Sequence, residues 1–229
     1  MQMSHGARLF YDRVDAGRRL GESLGAYRDQ GVLVLAIPRG GVPVAAEVAR
    51  HLGGELDVVV ARKLGVPGHE ELAMGAVAAS GGVFLNEAII TDLGISSPRL
   101  SAAIARERQA AEALEQRLRG GRARAPISGR VVIVVDDGLA TGATMHAAVQ
   151  SVRNEGPSKV VVAVPVGSRE ACAALSVAVD DLVCFAQPEV FLAVGLHYAH
   201  FEPTADEDVR RLLTEAVQRR AQSAGAADG

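Results

Sequence analysis

The chain has no tryptophan, and aromatic residues make up only 3% of its 229 positions. A core built from it must be aliphatic, and any stacking surface must come from a handful of places. Only two cysteines occur, Cys172 and Cys184, and their spacing fits neither a metal pair nor a redox motif. That excludes a disulfide-stapled or zinc-ribbon scaffold, and both read as reduced core thiols. No apolar run approaches the roughly 18 residues that a membrane span needs. Residues 1–8 lack the basic start and apolar middle of a secretory signal, so the expected location is the cytoplasm. An excess of positive charge is missing too: the net charge is −3, which argues against nucleic acid as the main partner. There is no G-x-G-x-x-G of a dinucleotide fold and no P-loop lysine.

What is present is ample apolar material, 48% of residues, arranged in an alternating pattern. Residues 9–29 place Phe10, Val14, Gly17, Leu20, Leu24 and Tyr27 at helical spacing, with Asp12 as a candidate N-cap. A strand is predicted at 31–37, a glycine turn at 38–41, a helix at 42–52 and a strand at 56–61 ending in Arg62-Lys63. Residues 64–74 lack periodicity and read as a mobile loop. Residues 75–85 read as a hairpin turning at Ser80-Gly81-Gly82. Pro98 opens a long helix that Gly120-Gly121 closes. Strands at 131–135, 159–166 and 182–186 then alternate with helices at 145–152 and 168–177. Thr204 to Glu207 reads as a capping box for a last helix ending near Arg220, with 221–229 fraying. The pattern predicts an α/β fold: a mostly parallel, doubly wound sheet flanked by helices. We expect one domain over 1–220, with a core at about 30–190 and a small hood formed from 188–203 and the terminal helices.

The most informative stretch is 131–145, where five β-branched residues run into Asp136-Asp137 and then Gly138-Leu-Ala-Thr141-Gly142-Ala-Thr144-Met. The run suits a strand buried on both faces. Its two glycines allow a sharp exit, and Thr141 or Thr144 is a candidate cap for the following helix. Strand, turn and helix N-terminus together aim backbone N–H groups at one point, where a phosphate binds without a basic side chain. Two carboxylates just upstream suit the vicinal hydroxyls of a sugar phosphate. The plain alternative is an acidic turn at a strand end with no ligand.

This order of parts resembles the signature of the type I phosphoribosyltransferases. Pro38-Arg-Gly-Gly, Arg62-Lys-Leu-Gly and Ala193-Val-Gly with Tyr198 further resemble a bacterial group of stand-alone phosphoribosyltransferase domains. The resemblance implies transfer of 5-phosphoribosyl from 5-phospho-α-D-ribose 1-diphosphate (PRPP) to a nucleobase-like nitrogen acceptor, with magnesium and release of pyrophosphate. It implies that Ala140, Thr141, Gly142, Ala143 and Thr144 hold the 5-phosphate. Asp136 and Asp137 then address the ribose hydroxyls and, through water, the metal. Arg39, Gly40 and Gly41 form the pyrophosphate turn, with Arg62 beside them and Lys63 in the catalytic set. Residues 64–74 match the family's lid. Ala140 stands where hypoxanthine-guanine enzymes carry Asp, which weighs against a 6-oxopurine. Phe191 and Tyr198 are candidates for stacking on the acceptor, with a plain hydrophobic core as the alternative. A homodimer is left open, and so is a PRPP- or nucleotide-sensing protein without catalysis.

Other polar clusters read as structural. The arginines at 117, 119, 122 and 124 suit a solvated, dipole-compensating helix end better than a nucleic-acid patch. His197 and His200 lack a third metal ligand at suitable spacing, which leaves a structural or base-stacking role. Asp180-Asp181 precedes its strand and so belongs to the opposite edge of the sheet.

Overall fold

The computed structural model describes residues 8–227. In chain order the elements are α1 (Arg13–Ser23), β1 (Leu33–Ala36), α2 (Gly41–Leu52), β2 (Glu55–Val58), β3 (Ala61–Val66), β4 (His69–Ala78), β5 (Val83–Leu85) and α3 (Glu87–Asp92). There follow α4 (Ser97–Arg119), β6 (Val131–Val135), α5 (Ala143–Arg153), β7 (Lys159–Val166), α6 (Arg169–Ser176), β8 (Asp181–Ala186) and α7 (Asp206–Ala227). A five-stranded sheet runs β2-β1-β6-β7-β8, with every pairing parallel.

The apolar strands have two buried faces, as their composition requires. Val34, Ala36, Ile133, Val135, Val161 and Ala163 join one core with α2 and α7. The alternate residues Leu33, Leu35, Val132, Val134, Val160 and Val162 join the other with α5 and α6. The chain passes from β1 outward to β2, but from β6 outward the opposite way to β7 and β8. The order therefore reverses between β1 and β6, and a crevice opens beyond the carboxyl ends of those two strands.

A second, three-stranded antiparallel sheet, β3-β4-β5, lies across α5 and α4. The hairpin expected at Ser80 to Gly82 is there: β4 pairs with β5, and Gly81 has φ 110°. Close packing also demands Gly82, because a Cβ there would collide with the Ala147 carbonyl of α5.

Several expectations need correcting. Residues 64–74 are mostly strand, the facing arms of β3 and β4 around Pro67-Gly68. Antiparallel pairing of the two arms, and burial of Leu64, Val66 and Met74 in one apolar cluster, outweigh the missing periodicity there. Arg62-Lys63 does not end β2, which stops at Val58; the pair lies within β3. The first helix is shorter than expected and closes in a 3-10 turn at Gly25–Tyr27, although Asp12 does cap it, accepting from Asp15 N at 2.8 Å. The last helix runs past Arg220 to Ala227, so 221–227 is helical; 228–229 lie outside the described residues. At its start the Ala205 N–H donates to the Asp208 carboxylate at 3.4 Å, one residue on from the expected Thr204 box. Arg119 is not solvated but 7% exposed. It donates to both Asp57 oxygens at 2.6 Å, to Glu115 and to the Val58 carbonyl. Among the described residues no helix is long and apolar enough to cross a membrane.

Candidate active site

Parallel pairing of β1 with β6 puts Ala36 beside Val135, so the turns that follow these strands are neighbours. The turn after β1 carries Arg39, Gly40 and Gly41, and its Pro38–Arg39 peptide is cis. The turn after β6 carries the two acids. At Gly41 a Cβ would sit 2.9 Å from the Asp136 Cα and from the Val135 carbonyl, and at Gly40 it would collide with the Asp137 carboxylate. The glycines are needed because two turns share one narrow space.

Asp136 and Asp137 are an electrostatically costly pair. Burial, then the neighbouring Asp137 charge, lifts the Asp136 carboxyl well above the usual carboxylate range, even though its Oδ1 accepts from the Asp137 N–H at 2.8 Å. Burial also raises Asp137, against the pull of Arg13. Arg13 Nε and Nη2 both reach Asp137 Oδ2 at 2.8 Å. The same guanidinium donates to the Glu202 carbonyl at 2.7 Å and covers the Phe201 ring at 3.8 Å. Arg13 thus fastens the first helix and the 198–202 segment to the acidic turn. Sequence reading missed it, because nothing local separates this arginine from Arg18 or Arg19 on the same helix.

Beyond the acids, Leu139 is held by bonds to the strand-end segment of β7: its N–H donates to Val166 O, and its carbonyl accepts from Ser168 N. Ser168 Oγ donates to the Ala140 carbonyl at 2.9 Å, pinning the loop. The cap of α5 is Gly142, at φ 78°, rather than Thr141 or Thr144, and no side chain bonds to the helix start. A left-handed residue was needed to turn the chain there, and only glycine takes it without strain. The first N–H groups of α5 are thus left without a side-chain cap, and Thr141 stands exposed beside them.

The basic pair of β3 is divided by strand parity. Arg62 lies opposite Val77 and ion-pairs with Glu107 of α4 at 2.8 Å, on the face away from α5. Lys63 lies opposite Ala76, which packs on Ala143 and Ala147 of α5, so it belongs to the face toward the loop. The structure therefore puts Lys63, and not Arg62, on the α5 side of the small sheet.

Tyr198 has no face for a ligand. It is 2% exposed, it packs with Phe10, and its hydroxyl donates to the Asp137 carbonyl at 2.6 Å. Burial and the Asp137 charge push its phenol far up, so it stays a neutral donor. It is a brace behind the acidic turn, and the stacking role expected for it is withdrawn. Phe191 is half-buried and stacks on His197 at 5.3 Å. Val194 closes over Gly138, where a Cβ would fall 2.5 Å from its methyl group, so the 188–203 segment packs against the loop after the acidic pair. Arg39 ion-pairs with Asp206 at the start of α7 at 2.5 Å. Among the described residues no cluster of three or more acidic, histidine or cysteine side chains could hold a metal by itself.

An acidic pair, a glycine turn and a helix start without a side-chain cap thus meet at the switch point of a doubly wound sheet. A model of the phosphoribosyl transferase domain family matches residues 12–195, and the chain belongs to that family. Two Mycobacterium tuberculosis relatives, each named "Putative phosphoribosyl transferase", are 43% identical over 221 residues, 96% of this chain. The chain spans about half the length of these curated relatives, 50% of each. The crystal structure of TT1426 from Thermus thermophilus is similar at 45% identity and a TM-score of 0.77, covering 90% of this chain and 98% of that one.

Proposed function

We propose that this domain transfers the 5-phosphoribosyl group of PRPP to a nucleobase-like nitrogen acceptor and releases pyrophosphate. The observation that carries the reading is the packing of Gly40 against the Asp137 carboxylate, which supports reading the glycine turn as the diphosphate site and the acid beside it as the ribose site. In this reading residues 1–220 act as one unit. The N–H groups around Ala140, Thr141, Gly142, Ala143 and Thr144 take the 5-phosphate, helped by the positive end of α5. The amides of Gly40 and Gly41 approach the diphosphate closely. Asp136 and Asp137 accept from the ribose hydroxyls, and Lys63 neutralises the departing pyrophosphate from the β3 side.

The residues suit magnesium. Two crowded carboxylates, both raised by burial and, among the described residues, sharing the one guanidinium of Arg13 on Asp137, favour an added positive charge. Asp136 and Asp137 would hold it through water, the remaining ligands coming from substrate and solvent. When bound it would offset the diphosphate charge. The chain itself needs no nucleophile, since placing the acceptor, stabilising the leaving group and excluding water suffice for an oxocarbenium-like transition state. Ala140, where an acid is absent, gives the acceptor pocket no charge at that point and weighs against a 6-oxopurine.

The test is pyrophosphate release from PRPP, with and without magnesium, across a panel of bases and amine acceptors. Turnover with one acceptor class, lost on chelation, is expected. Tight binding without turnover on any acceptor moves the reading to a sensor, and no binding at all removes it.

A further inference from the structure

Two arginines from distant parts of the chain grip one carboxylate beside the glycine turn. Arg39 Nε reaches Asp206 Oδ1 at 2.5 Å, and Arg117 Nε reaches Asp206 Oδ2 at 2.7 Å. Arg39 belongs to the turn after β1, Arg117 to the last turn of α4, and Asp206 is the first residue of α7. The arginines are about half exposed, at 45% and 50%, whereas the carboxylate between them is 23% exposed. One carboxylate thus bridges two guanidiniums at the edge of the turn, so its removal frees both for another anion. The nearby Asp208 is engaged elsewhere, its carboxylate pairing with Arg211 at 3.3 Å.

We propose that Arg117 is a pyrophosphate-binding residue, and that Asp206 occupies the anion position of an Arg39–Arg117 clamp until the diphosphate of the substrate displaces it. The inference rests on the phosphoribosyl transfer reading above and extends it to a residue outside the glycine turn. The chemistry favours the exchange. A diphosphate brings more negative charge and more acceptor oxygens than a carboxylate, and two guanidinium forks can each bind it bidentately. Arg39 need not leave the turn to do so, since it adjoins the Gly40 and Gly41 amides. The displaced carboxylate goes to solvent at the start of a helix, where negative charge is favourable in any case.

The alternative is that Asp206 is a structural pin that holds Arg39 in a productive place, and the two readings predict opposite signs. Calorimetry with inorganic pyrophosphate and magnesium on the full chain separates them. Asp206→Asn removes the competing charge and should tighten binding about fivefold, the scale expected for a partly exposed ion pair. Arg117→Gln should weaken binding about tenfold, with partial rescue by Arg117→Lys, and should cancel the gain when combined with Asp206→Asn. Glu215→Gln makes the same charge change further along α7 and should leave the affinity unaltered; a gain there equal to that of Asp206→Asn overturns the clamp in favour of general charge. Weaker or unchanged binding by folded Asp206→Asn overturns it, and so does wild-type affinity in Arg117→Gln. If the unsubstituted chain binds neither pyrophosphate nor PRPP, the transfer reading falls and this inference with it. Normal binding that ignores both variants sinks the clamp alone.

Discussion

Two adjacent pairs of aspartates sit at opposite edges of the same sheet. Asp136-Asp137 follows β6, while Asp180-Asp181 leads into β8. Their local sequences are alike, an acidic pair beside apolar residues, yet their surroundings differ. Asp180 accepts from the Val160 N–H at 2.6 Å and pairs with Arg153, and these contacts hold its carboxyl below the ordinary value. Asp181 accepts from the Tyr27 hydroxyl at 2.5 Å. One pair closes a strand start, and the other is held raised and crowded at a strand end. Strand polarity makes the difference. At the carboxyl edge the chain must turn into a helix whose N–H groups point back, and at the amino edge it has only to enter a strand.

The largest break in this comparison should come from Asp137→Asn, which we expect to weaken PRPP binding about 100-fold or more, close to 3 kcal/mol, with the fold retained. Near-normal affinity by calorimetry would remove the central assignment. Asp180→Asn should leave that affinity untouched.

Next in size is Gly40→Ala. Its Cβ must displace the Asp137 carboxylate, so activity should fall at least about tenfold and stability by about 1–3 kcal/mol. Gly25→Ala, where a Cβ meets nothing within 4 Å, should be neutral or slightly stabilising. Equal losses in the two variants would show that the crowding at Gly40 has no special role.

The smallest effect separates the two pairs by pH. Because its carboxyl is raised, ionised Asp136 costs stability at neutral pH, and that cost fades as pH falls through the raised value toward the ordinary 3.8. Asp136→Asn should therefore raise the Tm at pH 7 in magnesium-free buffer, by about 2–4 °C for ~1 kcal/mol, with the gain shrinking in acid. Asp180 is depressed instead, so it adds stability above the ordinary value that is lost as pH falls. Asp180→Asn should lower the Tm slightly at pH 7 and converge on the parent as pH falls through the depressed value. Thermal melts across pH that shift the same way for both variants would erase the distinction.

Legibility from sequence followed the range of the forces involved. The parallel core was readable because a strand buried on both faces must be a nearly unbroken β-branched run, and 131–135 and 159–166 are such runs. The acidic turn was readable because strand, turn and helix start are contiguous. The β3–β4 hairpin was not, since its stability comes from pairing across the small sheet and packing on α4 and α5. Tyr198 was misread for a related reason: an aromatic in an irregular segment looks available until the N-terminal segment covers it, with Phe10 against its ring at 5.4 Å.

The sequence by itself determined the alternating α/β architecture, the acidic pair and the glycine-lined loop, because each depends on residues within one or two turns of chain. Tertiary structure alone decided which charges meet. It set Arg13 on Asp137 across 124 positions and Arg39 on Asp206 across 167. It also used strand parity to send Lys63 toward α5 and Arg62 away from it. An ion pair depends on distance in space, and separation along the chain carries no record of it until the sheet has closed.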